Sequence, residues 1–407
     1  MKAFTETVQA IKNPGNTSNK LTNEANPKKK VALLVNMISP ARIPLYSRLA
    51  EAFDLLILHG GMERNRDSWR GFDHVLLDAK VIRAWGWQIP LARRRNGQAF
   101  DEQYLHFNPG YLWHLLRFAP DVIVSNEMGV RTLIALLYGS ISRKPVWVWW
   151  GGTLHTEAKK SGRIRRLLRF IFARWAKNWI SYGRSSTEYL GSLGIPRQRI
   201  LELQNTADER YFQSPTSPQF EIQPRPVLLY VGQFIARKAV DHLLRAAAII
   251  QREGRKFSLL LVGSGREKPA TERLAQELGL RNVYFYPPQA PQEMPGVYRS
   301  ADVLVFPTLE DPWGLVASEA MLAGLPVLCS RHAGCAEELF SAESIFDPED
   351  PTEFAEKLCR AVCGQLPAPD LSRLRTTPQV ATELIVALQD SARGKQAQLA
   401  QSGQVTV

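Results

Sequence analysis

The feature that most constrains the fold of this chain is an alternation of short apolar runs and helical segments that occurs twice. After residue 226, helical patterns follow the runs VLLYVG, SLLLVG, VYFYP, VLVFP, PVLCS and SIFDP. The runs VALLVNM, LLILHG, DVIVSN and PVWVWW show a similar alternation in the first half. Strands that alternate with helices are typical of a parallel sheet covered by helices on both faces. The sequence therefore predicts two doubly wound α/β domains.

A polar, proline-rich stretch, SPTSPQFEIQPRP, separates the two series. Prolines and polar residues between two periodic regions are typical of a linker. We expect a polar disordered tail over 1–29, a first domain over 30–213, a linker over 214–226, a second domain over 227–376, a last helix over 377–392 and a second disordered tail over 393–407.

The composition narrows the possible partners and compartments. The chain has 407 residues and a formal net charge of +12, which favours an anionic partner such as a phosphate, a nucleic acid or an acidic lipid. Its four cysteines form neither a disulfide framework nor a metal-ligand set with histidines, so we expect no metal site and a cytoplasmic location. We see no nucleic-acid recognition motif and expect no nucleic-acid partner.

The second domain places glycines, a lysine and acids where its predicted strands end. Gly232 and Lys238 follow the first strand, and Gly263 follows the next. Glycines allow a ligand to approach the backbone, and a lysine there supplies charge for a phosphate. A plain tight turn and a surface lysine are the alternative interpretation. In open α/β sheets, ligands bind at this edge.

The stretch VFPTLEDPWGLVASEAML continues this pattern with a strand, two acids and a helix. The first amides of such a helix form an anion site. Asp311 precedes the helix and Glu319 lies within it among apolar residues, where a carboxylate needs partners. Two carboxylates beside phosphate-binding amides suit a sugar nucleotide, since carboxylates accept hydrogen bonds from hydroxyls. Alternatively, Asp311 is only a helix cap and Glu319 a surface residue.

Residues 227–340 resemble the donor-binding domain of the retaining family-4 glycosyltransferases, which have the GT-B fold. The motifs that carry the resemblance are YVGQFIARKA, YRSADVLVFPT, EDPWGLVASE and SEAMLAGLPVLCS, together with NTADERYF at the end of the first domain. The resemblance implies two Rossmann-like domains that face each other across a cleft, with the C-terminal helix returning to the first domain. The first domain would then be the acceptor side and the second the donor side.

The resemblance also implies roles for individual residues. Lys238 would neutralise the leaving diphosphate, Asp311 would bind the transferred sugar and Glu319 would accept hydrogen bonds from the ribose. The other expected donor-binding residues are Gly232, Gln233, Gly263, Glu310, Trp313, Gly314, Leu315 and Val316. Gln233 stands where the family has an arginine and Asp311 where it has a glutamate. Glu310 is the alternative acid for the sugar contact.

Three residues of the first domain follow predicted strands. In the family, the loop with Arg42 helps build the acceptor side, although it also fits an ordinary loop before a helix. Glu127 lines the cleft or sits in the first turn of a helix. His155 follows two glycines and resembles the cleft histidine that family members place against the donor sugar, so we expect it to be catalytic.

The segment 159–180 contains eight lysines and arginines and no acid. Ile164, Leu168, Ile171 and Trp175 form an apolar stripe along it. One interpretation is a core-facing helix with a solvated basic face. The other is an amphipathic helix at an anionic membrane surface, which we expect at the inner face of a membrane.

These observations predict a retaining, metal-independent glycosyltransferase. It would move a hexosyl residue from a nucleotide-diphosphate sugar to a hydroxyl of a lipid-linked or polysaccharide acceptor. We expect no cofactor, with the nucleotide sugar as co-substrate. The alternatives are a nucleotide-sugar 2-epimerase of the same fold and a non-catalytic subunit that binds a sugar nucleotide.

Overall fold

The computed structural model describes residues 27–61, 76, 78–95, 98–159, 162–213 and 215–394. Apart from 27–29 and 393–394, the two predicted disordered tails lie outside the described residues, as does residue 214 of the predicted linker.

The first domain is built around a parallel sheet. The strands of the domain are β1 Lys30–Val35, β2 Asp54–His59, β3 Lys80–Arg83, β4 Trp87–Arg95, β5 Gln98–Phe107, β6 Val122–Asn126, β7 Val146–Trp150, β8 Asn178–Ser181 and β9 Ile200–Glu202. All of them except β4 and β5 belong to the parallel sheet. Its helices are α1 Ile43–Ala52, α2 Gly110–Phe118, α3 Val130–Ser142, α4 Leu154–Ala158, α5 Arg163–Trp175, α6 Arg184–Ser192 and α7 Glu209–Gln213. In the described part of the chain, the strand order is β3-β2-β1-β6-β7-β8-β9.

The second domain repeats the arrangement. Its strands are β10 Val227–Val231, β11 Ser258–Val262, β12 Val283–Tyr286, β13 Val303–Phe306, β14 Val327–Ser330 and β15 Ile345–Phe346. Its helices are α8 Val240–Arg252, α9 Lys268–Glu277, α10 Met294–Arg299, α11 Leu315–Leu322, α12 Ala336–Leu339 and α13 Pro351–Val362, and helix α14 Thr377–Ala392 follows. The order β12-β11-β10-β13-β14-β15 corresponds to the 3-2-1-4-5-6 order of doubly wound nucleotide-binding sheets.

Each sheet is covered by apolar side chains on both faces, which is why its central strands read as continuous apolar runs. In β1, Val31 and Leu33 contribute to one core, and Ala32 and Leu34 contribute to the other. The second sheet is enclosed in the same way by two further cores. The prediction of two doubly wound domains is confirmed.

Helix α14 returns to the first domain, as predicted. It begins with a capping box in which Thr376 and Gln379 exchange side-chain and backbone hydrogen bonds. Leu384 and Leu388 are buried in the core that also contains Leu45 and Leu49 of α1. Burial of this apolar stripe ties the end of the chain to the domain where the chain began.

An element that we did not predict lies between β3 and α2. Strands β4 and β5 pair antiparallel and form a separate two-stranded sheet. Residues of this hairpin contact the second domain: Arg93 pairs with Glu310, Arg95 with Glu349, and Asp101 with Arg237. An isolated hairpin is marginally stable in water, so packing against both domains is its main support.

The described helices include none with the length and apolar character needed to cross a membrane.

Candidate active site

The strand order of the second domain determines where its site lies. Strand β10 lies between β11 and β13, so the chain reverses its winding between β10 and β13. The loops after these two strands therefore diverge to opposite faces and leave a crevice at the carboxyl edge of the sheet. Lys238 follows β10 and Asp311 follows β13. The topology thus brings together two residues that are 73 positions apart in sequence.

Lys238 and Asp311 form an ion pair, with 2.5 Å between Nζ and Oδ2. The other carboxylate oxygen of Asp311 accepts a hydrogen bond from the Trp313 amide at 3.1 Å. Arg237 adds a second cation, with Nη1 3.9 Å from Oδ2. Burial alone would raise the pKa of Asp311, but the two cations and the hydrogen bonds lower it below its ordinary value. Both side chains of the pair are therefore ionised, and each neutralises the charge of the other.

Glu310 lies in a different environment from its neighbour Asp311. Its carboxylate is 3% exposed and accepts two hydrogen bonds from the Arg93 guanidinium, at 2.5 and 2.8 Å. This bidentate pair raises the pKa of Arg93. Glu310 is thus held by the hairpin as Asp311 is held by Lys238, and the assignment of the sugar contact to Asp311, with Glu310 as the alternative, stays a prediction.

The start of helix α11 is close to this pair. Gly314 precedes the helix with φ of +106°, a conformation that favours glycine. A Cβ atom at Gly314 would lie 2.4 Å from Phe306, so space also requires glycine there. Gly314, Leu315 and Val316 contribute the first amides of the helix, which carry the positive end of its dipole. The Trp313 ring is buried in the core and its Nε1 donates to Ser318 at 3.2 Å, so this ring serves packing.

Glu319, inside the same helix, is partly buried and accepts a hydrogen bond from the Tyr298 hydroxyl at 2.7 Å. Burial raises the pKa of Glu319 to about 7, although the hydrogen bond opposes the shift. Glu319 is therefore not a freely solvated surface residue, and its role toward the ribose stays a prediction. Tyr298 is a partner that we did not predict, and its position in a helix of mostly apolar residues offered no signal.

The glycines after β10 and β11 touch each other. A Cβ atom at Gly263 would lie 1.8 Å from the carbonyl oxygen of Gly232. The Gly232 amide donates to Val262 at 3.0 Å, and the carbonyl of Gln233 accepts from the Tyr230 hydroxyl at 2.7 Å. The close approach of the two loops explains why glycine is needed there, and the functional assignment of Gly232, Gln233 and Gly263 stays a prediction.

His155 reaches the second domain from α4. Its Nε2 is 2.9 Å from the Leu309 carbonyl oxygen, so Nε2 carries the proton and donates. Its ring stacks on His332 with 3.9 Å between centroids and 10° between planes. Burial lowers the pKa of His155, and burial together with the neighbouring His155 lowers the pKa of His332 to about 4. Both rings are therefore neutral near pH 7.

Glu127 and Arg42 are held in separate contacts at the carboxyl edge of the first sheet. Glu127 pairs with Arg131 at 2.8 Å and accepts from Asn36 at 3.2 Å. Arg42 is buried, with its guanidinium 4.5 Å from the Trp149 ring centroid and 4.9 Å from that of Tyr182. Arg42 thus contributes to packing in this structure, and its acceptor role stays a prediction.

Sequence reasoning missed several residues around this site. Arg237 directly precedes the lysine of the motif and carries no separate sequence signal. The segment that contains His332 indicates only a turn. The hairpin did carry a signal: an Asn-Gly dipeptide at 96–97 between two strand-like runs, a strong sequence signal for a hairpin.

In the described ranges, no group of three or more histidine, cysteine or acidic residues is arranged to hold a metal ion. Positive charge at the crevice comes from Lys238, Arg237 and the α11 amides.

Comparison with known proteins finds a family match for the second domain. Residues 215–371 match the family model of the glycosyl transferases group 1. The D-inositol 3-phosphate glycosyltransferase of Nocardia farcinica is 42% identical over 117 residues, which cover 27% of this chain and 26% of that protein. The chain spans about a quarter to just over a third of the length of the curated relatives that it matches.

Solved structures extend the similarity of fold to both domains. Anabaena HepE in complex with UDP aligns with a TM-score of 0.63 and 16% identity, covering 90% of this chain and 98% of that one. Sucrose-phosphate synthase from Thermosynechococcus elongatus aligns with a TM-score of 0.61 and 21% identity, covering 90% and 97%. At these identities the alignments establish the fold, which is GT-B. On this scaffold, the match to the glycosyl transferases group 1 model spans residues 215–371, which include the whole second sheet.

Proposed function

We propose that the chain is a retaining glycosyltransferase that moves a hexosyl residue from a nucleotide-diphosphate sugar to a hydroxyl of a lipid-linked or polysaccharide acceptor. The observation that carries this proposal is the Lys238–Asp311 pair, 2.5 Å apart, next to the first amides of α11 at the switch point of a group 1 glycosyl transferase domain. A cation, a carboxylate and a helix N-terminus are the groups that a sugar diphosphate needs.

Donor binding would rearrange the ion pair. A diphosphate at the α11 amides would attract Lys238 and Arg237, because it carries more negative charge than a single carboxylate. Asp311 would then be released to accept hydrogen bonds from the hydroxyls of the sugar. Glu319 would accept a hydrogen bond from a ribose hydroxyl, in place of or in addition to the hydrogen bond that it accepts from Tyr298. The HepE structure with UDP supports a uridine nucleotide as the first donor to test.

The reaction that we propose keeps the anomeric configuration. The bond between the anomeric carbon and the diphosphate oxygen breaks with its electron pair going to the oxygen. The acceptor oxygen bonds to the same face of the anomeric carbon, and its proton passes to the departing phosphate oxygen. Negative charge grows on the diphosphate, and fixed cations and amides aimed at that charge are the largest available catalytic contribution. Because the chain supplies these charges itself, we propose a reaction without a divalent ion.

His155 would form the first-domain wall of the sugar site. Its ring is neutral, and its Nε2 proton is engaged with Leu309, two residues before Asp311. This contact links the acceptor-side domain to the loop that carries the sugar-binding acid. His155 would therefore align the sugar with the acceptor.

Two observations bear on the identity of the acceptor. The curated relatives are named for inositol 3-phosphate, but their match is confined to part of each chain. We propose a lipid-linked or polysaccharide acceptor reached at the inner face of an anionic membrane, because α5 is a basic helix with an exposed apolar stripe.

A donor screen tests the proposal. The thermal unfolding of the purified chain would be measured with UDP-, GDP- and ADP-sugars, and turnover would then be followed as release of the nucleoside diphosphate. A ligand at a hundred times its dissociation constant stabilises a protein by about 2.7 kcal/mol. Binding with release of the diphosphate is the expected result. Binding without turnover would instead favour a non-catalytic subunit, and an isomerised nucleotide sugar would favour an epimerase.

A further inference from the structure

Large exposed apolar side chains are concentrated on one part of the molecule. Of the nineteen that the described residues expose, seventeen lie between Trp85 and Ile171. All seventeen belong to the first domain, while the second domain and α14 expose only Leu371 and Val386 among the described residues. Large exposed apolar patches usually mark a surface that is covered by a partner.

The β4–β5 hairpin has one apolar face and one face directed at the rest of the protein. Trp87 is opposite Phe107 and Ile89 is opposite Leu105, and directly opposite residues share a face. All four are exposed, Trp87 by 60%, and the Trp87 and Phe107 rings stack with 6.0 Å between centroids. Residues at the intervening positions of the two strands are directed at the rest of the protein, and His106, which is one of them, is buried.

Three helices near the hairpin also expose apolar side chains. Helix α3 packs against both α2 and β5, and Trp175 of α5 donates to Ser140 of α3 at 3.0 Å. Trp113 of α2 is 59% exposed, Ile141 of α3 is 84% exposed and Ile164 of α5 is 76% exposed. Of the α5 stripe, Ile164, Leu168 and Ile171 are exposed, and only Trp175 packs against the core of the first domain, so the core-facing interpretation fails for most of the stripe. We call the outer face of the hairpin with the exposed sides of α2, α3 and α5 the docking face.

The docking face is basic. Helices α2, α3 and α5 contain no aspartate or glutamate. Exposed arginines lie on or beside it at Arg117, Arg143, Arg163, Arg166 and Arg174.

Three acids near these helices are already paired with basic side chains. Asp121 pairs with Lys144, Glu127 with Arg131 and Glu157 with Arg169, at 3.1, 2.8 and 3.1 Å. The docking face therefore presents apolar side chains surrounded by positive charge.

We propose that the docking face binds an anionic lipid bilayer. Tryptophans and long arginines suit the boundary between headgroups and acyl chains, where apolar bodies are buried and charges stay at the surface. A second copy of the chain fits the charge poorly, since two docking faces would bring arginines together without acids to pair them. This inference rests on the proposed function only for its purpose, which is to bring the cleft to a lipid-linked acceptor.

Vesicle binding by the full-length chain tests the proposal. Co-sedimentation would be measured with vesicles of phosphatidylcholine alone and of phosphatidylcholine with phosphatidylglycerol. The variants Ile89→Ser/Leu105→Ser and Trp113→Ser/Leu116→Ser each remove two exposed apolar side chains. We expect each double variant to weaken partitioning into the vesicles about tenfold or more. The reason is that moving one large aliphatic side chain from water into an apolar phase is itself favourable by about tenfold or more in the partition constant. The matched control Leu371→Ser/Val386→Ser removes two exposed apolar side chains elsewhere and should bind like the parent chain.

A second pair of variants tests the charge. Arg163→Gln/Arg166→Gln should weaken binding to the anionic vesicles several-fold and leave binding to neutral vesicles unchanged. Arg169 is unsuitable for this purpose, because it pairs with Glu157 and stacks 4.3 Å from the Trp150 ring centroid. These arginine variants leave the apolar face intact, so they test the proposal even where an apolar variant folds poorly.

Three results would overturn the proposal. The first is equal vesicle binding by the parent, apolar and arginine variants, and the second is no binding by any of them. The third is a stable dimer in sedimentation equilibrium that the apolar variants dissociate, which would assign the docking face to a second copy. Donor-induced thermal stabilisation of the same variants should equal that of the parent, so a failure of docking and a failure of the donor site give separate readouts.

Discussion

At the scale of single residues, the site depends on charges that the fold places close together. Lys238 and Asp311 satisfy each other in this structure, and a ligand with more negative charge than one carboxylate would separate them. Glu319 is the one acid of the site whose pKa is raised to near neutrality. Each group can be tested by a change of one side chain.

Replacing Lys238 with alanine should lower turnover by about a hundredfold to a thousandfold, the usual cost of losing one donor that stabilises developing charge. The measurement is the rate of diphosphate release at saturating donor. Lys256, an exposed lysine before β11, is the matched control, and Lys256→Ala should keep the parent rate. A Lys238→Ala chain with nearly the parent rate would remove this lysine from the phosphate site.

Donor affinity should rise as the pH increases through about 7. Burial raises the pKa of Glu319 to about 7, so the carboxyl group is mainly protonated below that pH and ionised above it. The ionised form accepts hydrogen bonds from ribose hydroxyls more strongly, so binding favours deprotonation and strengthens with pH. Titration of donor affinity against pH measures the effect.

Glu319→Gln should bind the donor more weakly at high pH and lose this dependence. The same rise in the glutamine variant would assign the dependence to another group.

At the scale of elements, the β4–β5 hairpin connects the two domains beside the site. Arg93 holds Glu310, the neighbour of Asp311, and Asp101 holds Arg237, the neighbour of Lys238, at 3.1 Å. Phe100 of the hairpin is buried with Ala239 and Leu309 of the two site loops. The hairpin therefore supports both loops that would bind the donor.

Arg93→Ala should raise the KM for the donor and destabilise the contact between the domains. The change leaves the Glu310 carboxylate buried without its guanidinium, and breaking a buried ion pair in this way costs about 3–5 kcal/mol. Donor KM and thermal unfolding would be measured together. Arg94→Ala, at an exposed neighbouring position, is the control and should resemble the parent.

The double variant Arg93→Ala/Glu310→Gln separates stability from donor binding. Removing the uncompensated charge should recover part of the stability, while the donor KM stays raised because the loop has lost its support. Full recovery of the parent KM would show that the hairpin does not position the site.

At the scale of the whole molecule, the chain closes on itself through α14. This helix leaves the second domain and completes a core of the first, with Leu384 and Leu388 fully buried beside α1. The Trp147 indole also donates to Ser391 at 3.1 Å. The stability of the first domain therefore depends on residues that follow the second domain in sequence.

Leu384→Ala should destabilise the first domain by about 2–5 kcal/mol, the usual cost of truncating a buried leucine. Hydrogen exchange at the amides of β1 and β6 measures this loss within the intact chain. Val386→Ala, at an exposed position of the same helix, is the control. Unchanged protection in Leu384→Ala would show that the first core is complete without α14.

The sequence by itself determined the elements whose stabilisation is local or whose apolar runs are long. The central strands of both sheets must be buried on both faces, so they appear as continuous apolar runs, and a doubly wound order follows from their alternation with helices. The loops of Lys238 and Asp311 could be located in the same way, since the sheet brings strand ends to one edge.

Only the tertiary structure decided which of these groups meet. The hairpin is stabilised by contacts across the domain boundary, and the bond between Arg93 and Glu310 joins residues 217 positions apart. The stacking of His155 on His332 and the exposure of the α5 stripe likewise depend on how complete elements pack. Such contacts leave no periodic signal in either segment alone, because their partners lie in the other half of the chain.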